Sequence, residues 1–477
     1  MVSVPQSEIG DNGEVKRLAR AFRRALESHV SPDSSFGQRE EALLAVGNAA
    51  MRQVLEEDLQ RISDEFGEAV TVDEQRYKRH CVGTVVYHSL CGGLRVQRST
   101  YRRCGVRNGP TIVALELAAG LMERLTPALA SDVLQGYAKH DMRSHHEGLC
   151  SSARVPPSRS TLEQAARRLA KAAQTAVPHV EAAVRRAEKL PKGAAGVAIG
   201  LDRTTTPMEE PYSCDGKPKR RRKRTKPYVR RPPAPIEVNY RMAYVATFAL
   251  VDEHGEALVT RSYAASPASG AAGIVERLMA DVRWALGRKR DLSIGVVQDG
   301  APELWNLLRP ALEAEPKVDV WHEAVDIYHL HEHLAEALRC VEHSDVVRKA
   351  KLAQWAHDLA HRDSAIDVIS NYLKRRLDGV AKSNRETYLR ELVYLRNNNK
   401  RMRYVTMRVR SLPVGSGVTE GAAKSVIGNR AKGSGRRWHD DNLNAALNLR
   451  SIYCSDRLPR FWPHLSRRYT APVQAAA

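Results

Sequence analysis

The stretch IGVVQDGAPELW, residues 294–305, carries a short apolar run into an acid, a glycine and a helix-like pattern that begins at a proline. Such a run, bounded by turn residues, is typical of a buried strand. Asp299 then has two interpretations. It either begins a turn, since Asp-Gly is common turn chemistry, or it holds a metal ion at the carboxyl end of a sheet strand.

Strands and helices alternate on both sides of this stretch. Before it lie a strand ending at Asp202, two strands joined by a turn at residues 252–255, and a helix, GAAGIVERLMADVRWALGRK. After it come a helix, a strand in VWHEAVDIYHL and a further helix. The order β-β-β-α-β-α-β-α predicts an RNase H-like core, because helices occur where parallel strands need crossovers. Its first and fourth strands are neighbours, so Asp202 and Asp299 would emerge at one edge.

A third acid is expected from a later helix. Glu420, in GSGVTEGAAKSV, lies in the first turn of a helix that follows a glycine-rich loop. An acid at this position also suits a role in capping or in stabilising the helix dipole. Two or three carboxylates are enough to bind Mg²⁺, and two such ions can promote cleavage of a phosphodiester. We therefore predict a site for Mg²⁺ or Mn²⁺ at Asp202, Asp299 and Glu420.

The chain is strongly basic, with a formal net charge of +20 and a pI of about 9.8. A charge of this size favours a polyanionic partner, and nucleic acid is the leading candidate. The alternative is a generally basic surface that reflects arginine-rich codon usage. Hydrophobic residues make up 43% of the 477 residues, which is enough for real cores and indicates two to four domains.

Secretion and membrane insertion are not expected. The N-terminal stretch lacks an apolar segment typical of a signal peptide, and no apolar run approaches the roughly 20 residues needed to cross a membrane. The seven cysteines are scattered and form no CxxC pair, which argues against a disulfide framework and a zinc ribbon. The expected location is the bacterial cytoplasm, in association with the nucleoid.

The predicted organisation is a multidomain α+β and α/β chain. A mainly helical DNA-binding region containing a small β-hairpin precedes the RNase H-like core. The boundaries are a helical region at 1–75, a hairpin at 76–110, a helical region at 111–190, the catalytic core at 193–455 with a helical insertion at about 344–401, and a tail at 456–477. In the third segment, TPALASDVLQGYAK is followed by SRSTLEQAARRLAKAAQ, which opens with a capping box at residues 160–163. This pair is compatible with a DNA-reading helix-turn-helix and equally with an ordinary amphipathic bundle.

Four stretches carry a resemblance to a known family: IGLDRTTTPM, VVQDGAPELW, VDIYHLHEHL and GSGVTEGAAKSVIGNRAKGSGRRW. They resemble bacterial insertion-sequence transposases of the ISKra4 family, a DDE-type group. The resemblance covers roughly residues 80–455, with firm motifs from 196 onward. It implies that Asp202, Asp299 and Glu420 form the metal-binding triad.

The resemblance also implies an activity and its partners. The chain would bind the ends of its own mobile element, cut the DNA and join it to a target, acting on double-stranded DNA as a homodimer or larger oligomer. It further implies that the helical region before Glu420 is an insertion in the catalytic domain. One departure concerns zinc: relatives often carry a cysteine-rich hairpin after R-x-Y-R, whereas RSTYRRCGVRNGP keeps only Cys104.

Basic residues near the third acid and in a charged run are predicted to bind DNA. On a helix, Lys424 shares a face with Glu420, so it would contact a phosphate or simply form an ion pair with that acid. Residues 217–231 hold ten Lys or Arg among fifteen residues, which predicts a mobile arm on DNA or a loop that only adds solubility. Trp438 would stack on an unpaired base or join the core. The predicted DNA-binding residues are Arg220, Arg221, Arg222, Lys223, Arg224, Lys424, Arg430, Lys432, Arg436, Arg437 and Trp438.

DIYHLHEHL contains a further acid and two histidines four residues apart. Asp326 also follows a strand and is the second choice for the second catalytic acid. His329 and His333 share a helix face and could bind zinc, but no third ligand is evident. We expect these three residues to lie beside the active site or to contact DNA.

Two other functions remain open from the sequence. The first is a DNA-binding protein that has lost catalysis, such as a decayed or domesticated copy, against which the intact acid trio argues. The second is an RNase H-like nuclease or resolvase. The large helical region before the core favours a transposase over it.

Overall fold

The computed structural model describes residues 13–211 and 236–476, and the chain divides into two compact units. The first consists of Met1–Ala176 with Pro459–Ala477, and the second of Val177–Leu458. Both contain helices and one five-stranded sheet, so the predicted mixed, multidomain class is confirmed. Across the described ranges, no helix is both long and apolar enough to cross a membrane.

The first unit is built on an antiparallel sheet. Two helices, α1 (Gly13–Glu27) and α2 (Phe36–Asp64), lead into β1 (Ala69–Val72) and the long hairpin of β2 (Gln75–Ser89) and β3 (Gly92–Arg103). Ser89 pairs with Gly92, so the predicted hairpin turns at Leu90-Cys91, and Gly92 adopts a φ of 121°. A glycine accepts this left-handed geometry without steric cost. The short β4 (Thr111–Ile112) lies beyond β3.

The predicted tail is part of this unit. Its last strand, β10 (Val473–Ala476), pairs antiparallel with β1, giving the sheet order β10-β1-β2-β3-β4. The preceding helix, α17 (Leu458–Ser466), begins at the end of the second unit. A chain end held by a strand ladder is tied down by backbone hydrogen bonds rather than being free.

The helical part of the first unit differs from a simple pair of helices. It contains α3 (Ala114–Ala119), α4 (Pro127–Lys139), α5 (Met142–Ser151) and α6 (Arg159–Ala187). The two helices proposed as a helix-turn-helix are α4 and α6, and α5 separates them. Helix α6 also begins one residue before Ser160, and the hydroxyl that accepts from the Thr161 N–H is that of Ser158. The predicted capping box is therefore misplaced by two residues.

The second unit is built on a mixed sheet in the order β7-β6-β5-β8-β9. Its strands are β5 (Gly196–Pro211), β6 (Ile236–Val251), β7 (Ala257–Ala265), β8 (Ser293–Gln298) and β9 (His322–Val325). β5, β8 and β9 run parallel, whereas β6 is antiparallel to both β5 and β7. Helices α7 (Ala272–Arg288), α8 (Pro302–Glu313) and α9 (Ile327–Val341) follow β7, β8 and β9. The predicted order of elements is confirmed.

Alternate residues of these strands pack into different cores, as the pleat of a sheet requires. On β8, Val296 belongs to a core that α7 and α8 complete with Leu278 and Trp305. Val297 belongs instead to the core of the helices that follow β9. The sheet is thus covered on both faces, which explains why its strands are continuous apolar runs.

Helices occupy the predicted insertion at 344–401. These are α10 (Asp345–His361), α11 (Ala365–Lys374) and α12 (Arg385–Asn398), followed by the short α13 (Tyr404–Val409). They pack with α9 around Leu334, Leu359, Ile369 and Tyr388. Beyond them lie α14 (Gly417–Ala422), a π-helical turn (Ala423–Gly428), α15 (Asn429–Ala431) and α16 (Asp440–Cys454). A π-helical turn interrupts regular packing and is frequent at functional sites.

A buried ion network brings the end of α6 into the second unit, which begins at Val177 rather than at the predicted 193. Arg457 pairs with Glu188 at 2.8 Å and with Asp281 at 3.1 Å. Asp281 also pairs with Arg185 at 2.5 Å. These charged groups sit inside the protein, where a charge needs a partner, so the end of α6 is part of the second unit's interior.

Candidate active site

The strand register brings two of the predicted acids side by side. In the parallel pair of β5 and β8, the last aligned residues are Ile199 and Val296. Three residues further along each chain are Asp202 and Asp299. Asp202 lies inside β5, which continues to Pro211, and Asp299 follows the last residue of β8. Because neighbouring strands lie about 4.8 Å apart, both acids lie near the point where the β5–β8 ladder ends.

The third predicted acid reaches this edge because α14 packs closely on the sheet. The Thr419 hydroxyl lies 2.6 Å from the Thr247 hydroxyl of β6. A Cβ on Gly200 would collide with the Thr419 hydroxyl, so only glycine allows this approach. Gly200 is two residues before Asp202 and Thr419 is one before Glu420. The close packing thus fixes the helix of one acid on the strand of another.

The pKa of Asp202 shows that the three acids are close enough to interact. It is raised, chiefly because the carboxylate is largely removed from water and further because the negative charges of Asp299 and Glu420 act on it. The hydrogen bond from the Arg203 backbone N–H and the charge of His329 act in the opposite direction. Like charges held together without enough counter-charge are typical of catalytic carboxylates.

Asp299 has a turn role as well as a place at this edge. Its Oδ1 accepts a hydrogen bond of 3.1 Å from the backbone N–H of Ala301. A Cβ on Gly300 would collide with the Tyr394 ring, so the glycine lets α12 pass close to the strand end. Asp299 thus stabilises the turn before α8 through Oδ1, Gly300 makes room for Tyr394, and Oδ2 of Asp299 forms no hydrogen bond with a described residue.

Asp326 is placed at the same level on the third parallel strand, but its carboxylate is occupied. Gln298 pairs with Val325, and the backbone N–H of Asp326 donates to the Gln298 carbonyl at 2.8 Å, so Asp299 and Asp326 each follow the last paired residue of their strand. Asp326 is fully buried. Its Oδ1 accepts from the backbone N–H groups of Tyr328 and His329 at 2.6 and 3.1 Å.

The other oxygen of Asp326 holds the loop before α14. Its Oδ2 accepts from the backbone N–H of Ser416 and, at 2.6 Å, from the Ser416 hydroxyl. The same hydroxyl lies 3.2 Å from Oε1 of Glu420. These donors keep the pKa of Asp326 below its ordinary value although burial acts against them. The arrangement suits a carboxylate that positions Glu420 better than one that binds a metal ion.

The donor set at the edge fits a hard cation. Asp202, Asp299 and Glu420 offer only carboxylate oxygens, the ligands that Mg²⁺ and Mn²⁺ prefer, and Mg²⁺ commonly uses one or two carboxylates and keeps several waters. Among residues 13–211 and 236–476, no three His, Cys, Asp or Glu side chains are grouped so that all could hold one ion. The side chains therefore share the edge without forming a closed ligand cage.

The two histidines of DIYHLHEHL take different places. His329 lies near Asp202, as its electrostatic effect shows, and its Nδ1 is 3.3 Å from Glu332. His333 pairs with Glu391 at 2.5 Å and stacks on Tyr394 at 3.5 Å between ring centroids. The zinc pair considered from the sequence thus has one histidine committed to a carboxylate and an aromatic ring.

The basic residues after Glu420 fall into two groups. Lys424 and Lys432 are exposed; Lys424 lies 3.7 Å from Glu420 and Lys432 bonds to the Thr204 hydroxyl at 2.5 Å. Lys424 thus lies beside the third acid, and Lys432 lies beside β5 two residues after Asp202. Arg430 is 4% exposed and lies over the Trp438 ring, so the predicted DNA contact of Arg430 does not fit this placement.

Trp438 and the two arginines before it mainly form contacts within the protein. The indole N–H of Trp438 donates to the Ala431 carbonyl, and its backbone pairs with Pro207 and Glu209 of β5. Arg436 donates to two backbone carbonyls, while the exposed Arg437 lies 3.2 Å from Glu209. Trp438 therefore takes the core position that the sequence left open. Arg220, Arg221, Arg222, Lys223 and Arg224 lie outside the described residues.

Ser416, Gly200 and Tyr394 are site residues that were not predicted from the sequence. An isolated glycine inside an apolar strand often marks a close approach of another backbone, so AGVAIGLD carried a signal for Gly200. Ser416 and Tyr394 had no comparable signal. Neither the models of known protein families nor the curated protein sequences gave a match to this chain.

Proposed function

We propose that the chain is a metal-dependent DDE transposase of the ISKra4 type, with the second unit as an RNase H-like catalytic core. The observation that carries the proposal is the placement of Asp202 on β5 and of Asp299 directly after the neighbouring parallel strand β8, with Asp299 and Glu420 both close enough to affect Asp202. The sheet order, with a central parallel strand flanked by an antiparallel hairpin and two parallel strands, supports such a core. The net charge of +20 supports a DNA substrate.

The residues of the chain would divide the work as follows. Asp202, Asp299 and Glu420 would hold Mg²⁺ or Mn²⁺, which would activate the attacking water or 3′-hydroxyl and stabilise the leaving oxygen. Asp326 and Ser416 orient Glu420. Lys424 and Lys432 hold phosphates beside the cleaved bond, and the basic run at 217–231 adds sequence-independent attraction to DNA.

The proposed partners are double-stranded DNA at the element ends and at the target, and further copies of the same chain. Two ends must be held together for joining, which is the reason for a homodimer or larger oligomer. The first water-dependent cut would free a 3′-hydroxyl, and that hydroxyl would attack a target phosphodiester. No covalent bond between protein and DNA is required.

The test uses the full chain and a plasmid that carries the gene with its native flanking DNA. Asp202→Asn, Asp299→Asn and Glu420→Gln are expected to abolish cleavage and joining while DNA binding persists. Glu253→Gln is the control, because Glu253 is an exposed turn residue far along β6 from the acids.

Metal removal provides the second arm. EDTA should stop the reaction and Mg²⁺ or Mn²⁺ should restore it. Full cleavage in EDTA, or unchanged cleavage by all three acid variants, would refute the proposal. Cleavage without joining would identify a nuclease instead.

A further inference from the structure

A cavity with a basic lining lies in the second unit, and Asp202, Asp299 and Glu420 are not among its lining residues. It is a cavity of about 690 Å³ bounded by α8, β9, the end of α12 and the turn that follows it. A cavity of this size is within the usual range of ligand pockets. Its charged lining consists of Arg309, Glu323, Arg396, Lys400, Arg401 and Arg403.

The single carboxylate of the lining is already neutralised. Glu323 accepts from Arg309 at 2.7 and 2.5 Å and from Arg401 at 2.8 Å. These bonds hold the pKa of Glu323 below its ordinary value although burial acts against them. Each guanidinium has five N–H donors, so both arginines retain donors beyond those bonded to Glu323. The carboxylate thus fixes two guanidinium groups without cancelling the positive charge of the cavity.

Two further cations are uncommitted. Arg396 lies in the last turn of α12 and Lys400 in the 3-10 turn that follows it, and both are exposed. Within the part of the chain that the structure describes, neither forms an ion pair or a side-chain hydrogen bond. Such side chains cost little to reorient towards a ligand, and fixed guanidinium groups beside them match phosphate geometry.

Helix α12 lies beside both the acid edge and the cavity. Tyr394 of this helix packs against Gly300, the neighbour of Asp299. Arg396, which lines the cavity, is two residues further along the same helix. Helix α12 therefore connects the cavity with the strand end that carries Asp299.

We propose that this cavity is a phosphate-binding site for the nucleic-acid backbone flanking the cleaved bond. This proposal rests on the proposed function for its partner, whereas the anion specificity rests on the lining alone. Backbone contacts of this kind set the position of a protein on DNA without reading the bases. Arg309 and Arg401 form the fixed part of the site, and Arg396 and Lys400 close on the backbone.

The experiment compares the full-length wild type with Arg396→Ala/Lys400→Ala. Affinity for a fluorescent DNA duplex is measured by anisotropy over a range of salt concentrations. The matched control is Lys382→Ala/Arg385→Ala, which removes two exposed cations at and just before the opposite end of α12 and leaves the cavity intact. Both variants have the same net charge, so a difference between them reports position rather than total charge.

The cavity variant is expected to bind DNA about tenfold or more weakly at low salt. Its log–log salt slope should become shallower by about 1.8, which is about 0.9 for each phosphate that is no longer neutralised. The control should change neither quantity by more than about a third of that amount. Equal effects in the two variants, or no effect in either, would overturn the proposal.

A second arm identifies the source of the phosphate. Binding of inorganic tripolyphosphate is measured for the same proteins. If the cavity variant loses tripolyphosphate binding but keeps wild-type DNA affinity, the site serves a free phosphate compound and the backbone assignment is wrong. If the wild type never cleaves DNA yet the cavity variant alone shows the salt effect, the cavity stands and the transposase proposal fails.

Discussion

Two groups of carboxylates in the same unit face opposite surroundings. Asp281 is fully buried and is met by three guanidinium groups, at 2.5 Å from Arg185, 3.0 Å from Arg261 and 3.1 Å from Arg457. Asp202 is partly buried and forms no ion pair with any described residue, and the charges nearest to it include two other acids. The charge of Asp281 is balanced by neighbouring arginines, whereas the charge of Asp202 is not balanced by an ion pair in the part of the chain that the structure describes.

The pKa shifts express this difference. Burial opposes ionisation of Asp281, but Arg457, Arg261 and Arg185 outweigh it and hold its pKa below the ordinary value. Burial also opposes ionisation of Asp202, and there Asp299 and Glu420 add to the effect, so its pKa is raised. The fold thus provides arginines for Asp281, whereas no described residue forms an ion pair with Asp202.

Removing the charge of an active-site acid should have the largest effect on cleavage and should not destabilise the fold. Asp202→Asn is expected to lower cleavage by about a thousandfold or more, since a metal ligand is lost. It should also raise the melting temperature slightly, because the raised pKa means that the charged carboxylate destabilises the fold. Cleavage assays and thermal melts measure the two effects. A melting temperature that falls by several degrees would place Asp202 among the structural acids.

Removing the charge of Asp281 from the buried ion network should lower stability and leave cleavage unchanged. Asp281→Asn leaves Arg261 and Arg457 buried beside a neutral side chain, and loss of one partner of a buried pair typically costs about 3–5 kcal/mol. Denaturant unfolding gives this value, and cleavage per folded molecule should be unchanged. A loss below about 1 kcal/mol would show that these charges are already screened.

The close packing of β5 and α14 should link stability to activity. In Gly200→Ala the new methyl group would collide with the Thr419 hydroxyl and the Val297 carbonyl, so the helix of Glu420 must move. We expect a loss of about 1–3 kcal/mol together with a fall in cleavage of about a hundredfold. Gly273→Ala in α7, where a Cβ meets open space, is the control. Normal cleavage by Gly200→Ala would exclude Glu420 from the site.

Asp326 lies between the two groups, since it is buried and satisfied yet bonded to the loop of Glu420. Asp326→Asn replaces an acceptor with an N–H₂ donor that faces other donors. We expect cleavage to fall about 10- to 100-fold and the Mg²⁺ requirement to rise, as for other residues that orient a metal ligand. DNA affinity is the internal control. If Asp326→Asn is inactive and Asp299→Asn retains near-normal cleavage, Asp326 is the second catalytic acid.

The smallest expected effects are changes in the pH dependence of stability, which compare Asp202 with Asp281 directly. Stability from Asp281 is present above the unfolded pKa of about 3.9 and is lost as the pH falls through its depressed folded pKa. The Asp202 carboxyl contributes stability below about 3.9 that is lost as the pH rises through its raised folded pKa. At neutral pH the melting temperature of Asp202→Asn should lie above that of the wild type, and that of Asp281→Asn below it. As the pH is lowered, both differences from the wild type should shrink towards zero. Convergence from the same side would contradict the assigned signs.

Local sequence patterns were enough to specify the elements and their order. Apolar runs and helical spacing indicate strands and helices, because side-chain periodicity follows from backbone geometry. This is why the hairpin of the first unit, the β-β-β-α-β-α-β-α order and the helices at 344–401 were predicted. Asp299 was also found this way, because it directly follows a buried strand. The predicted strand end at Asp202 was wrong, since β5 continues through this acid to Pro211, where it pairs with β6.

Which groups meet depended on packing between distant parts of the chain. Asp326 and Ser416 are hydrogen-bonded although they are 90 residues apart in the sequence, and Arg457 and Glu188 are bonded although they are 269 residues apart. The strand β10 pairs with β1 from the other end of the chain. Many side chains of the same type could make such contacts, so residue types alone do not select among them. The acids could be named from the sequence, but packing decided that Asp281 receives three arginines, that Asp326 receives Ser416, and that Asp202 is left with other acids.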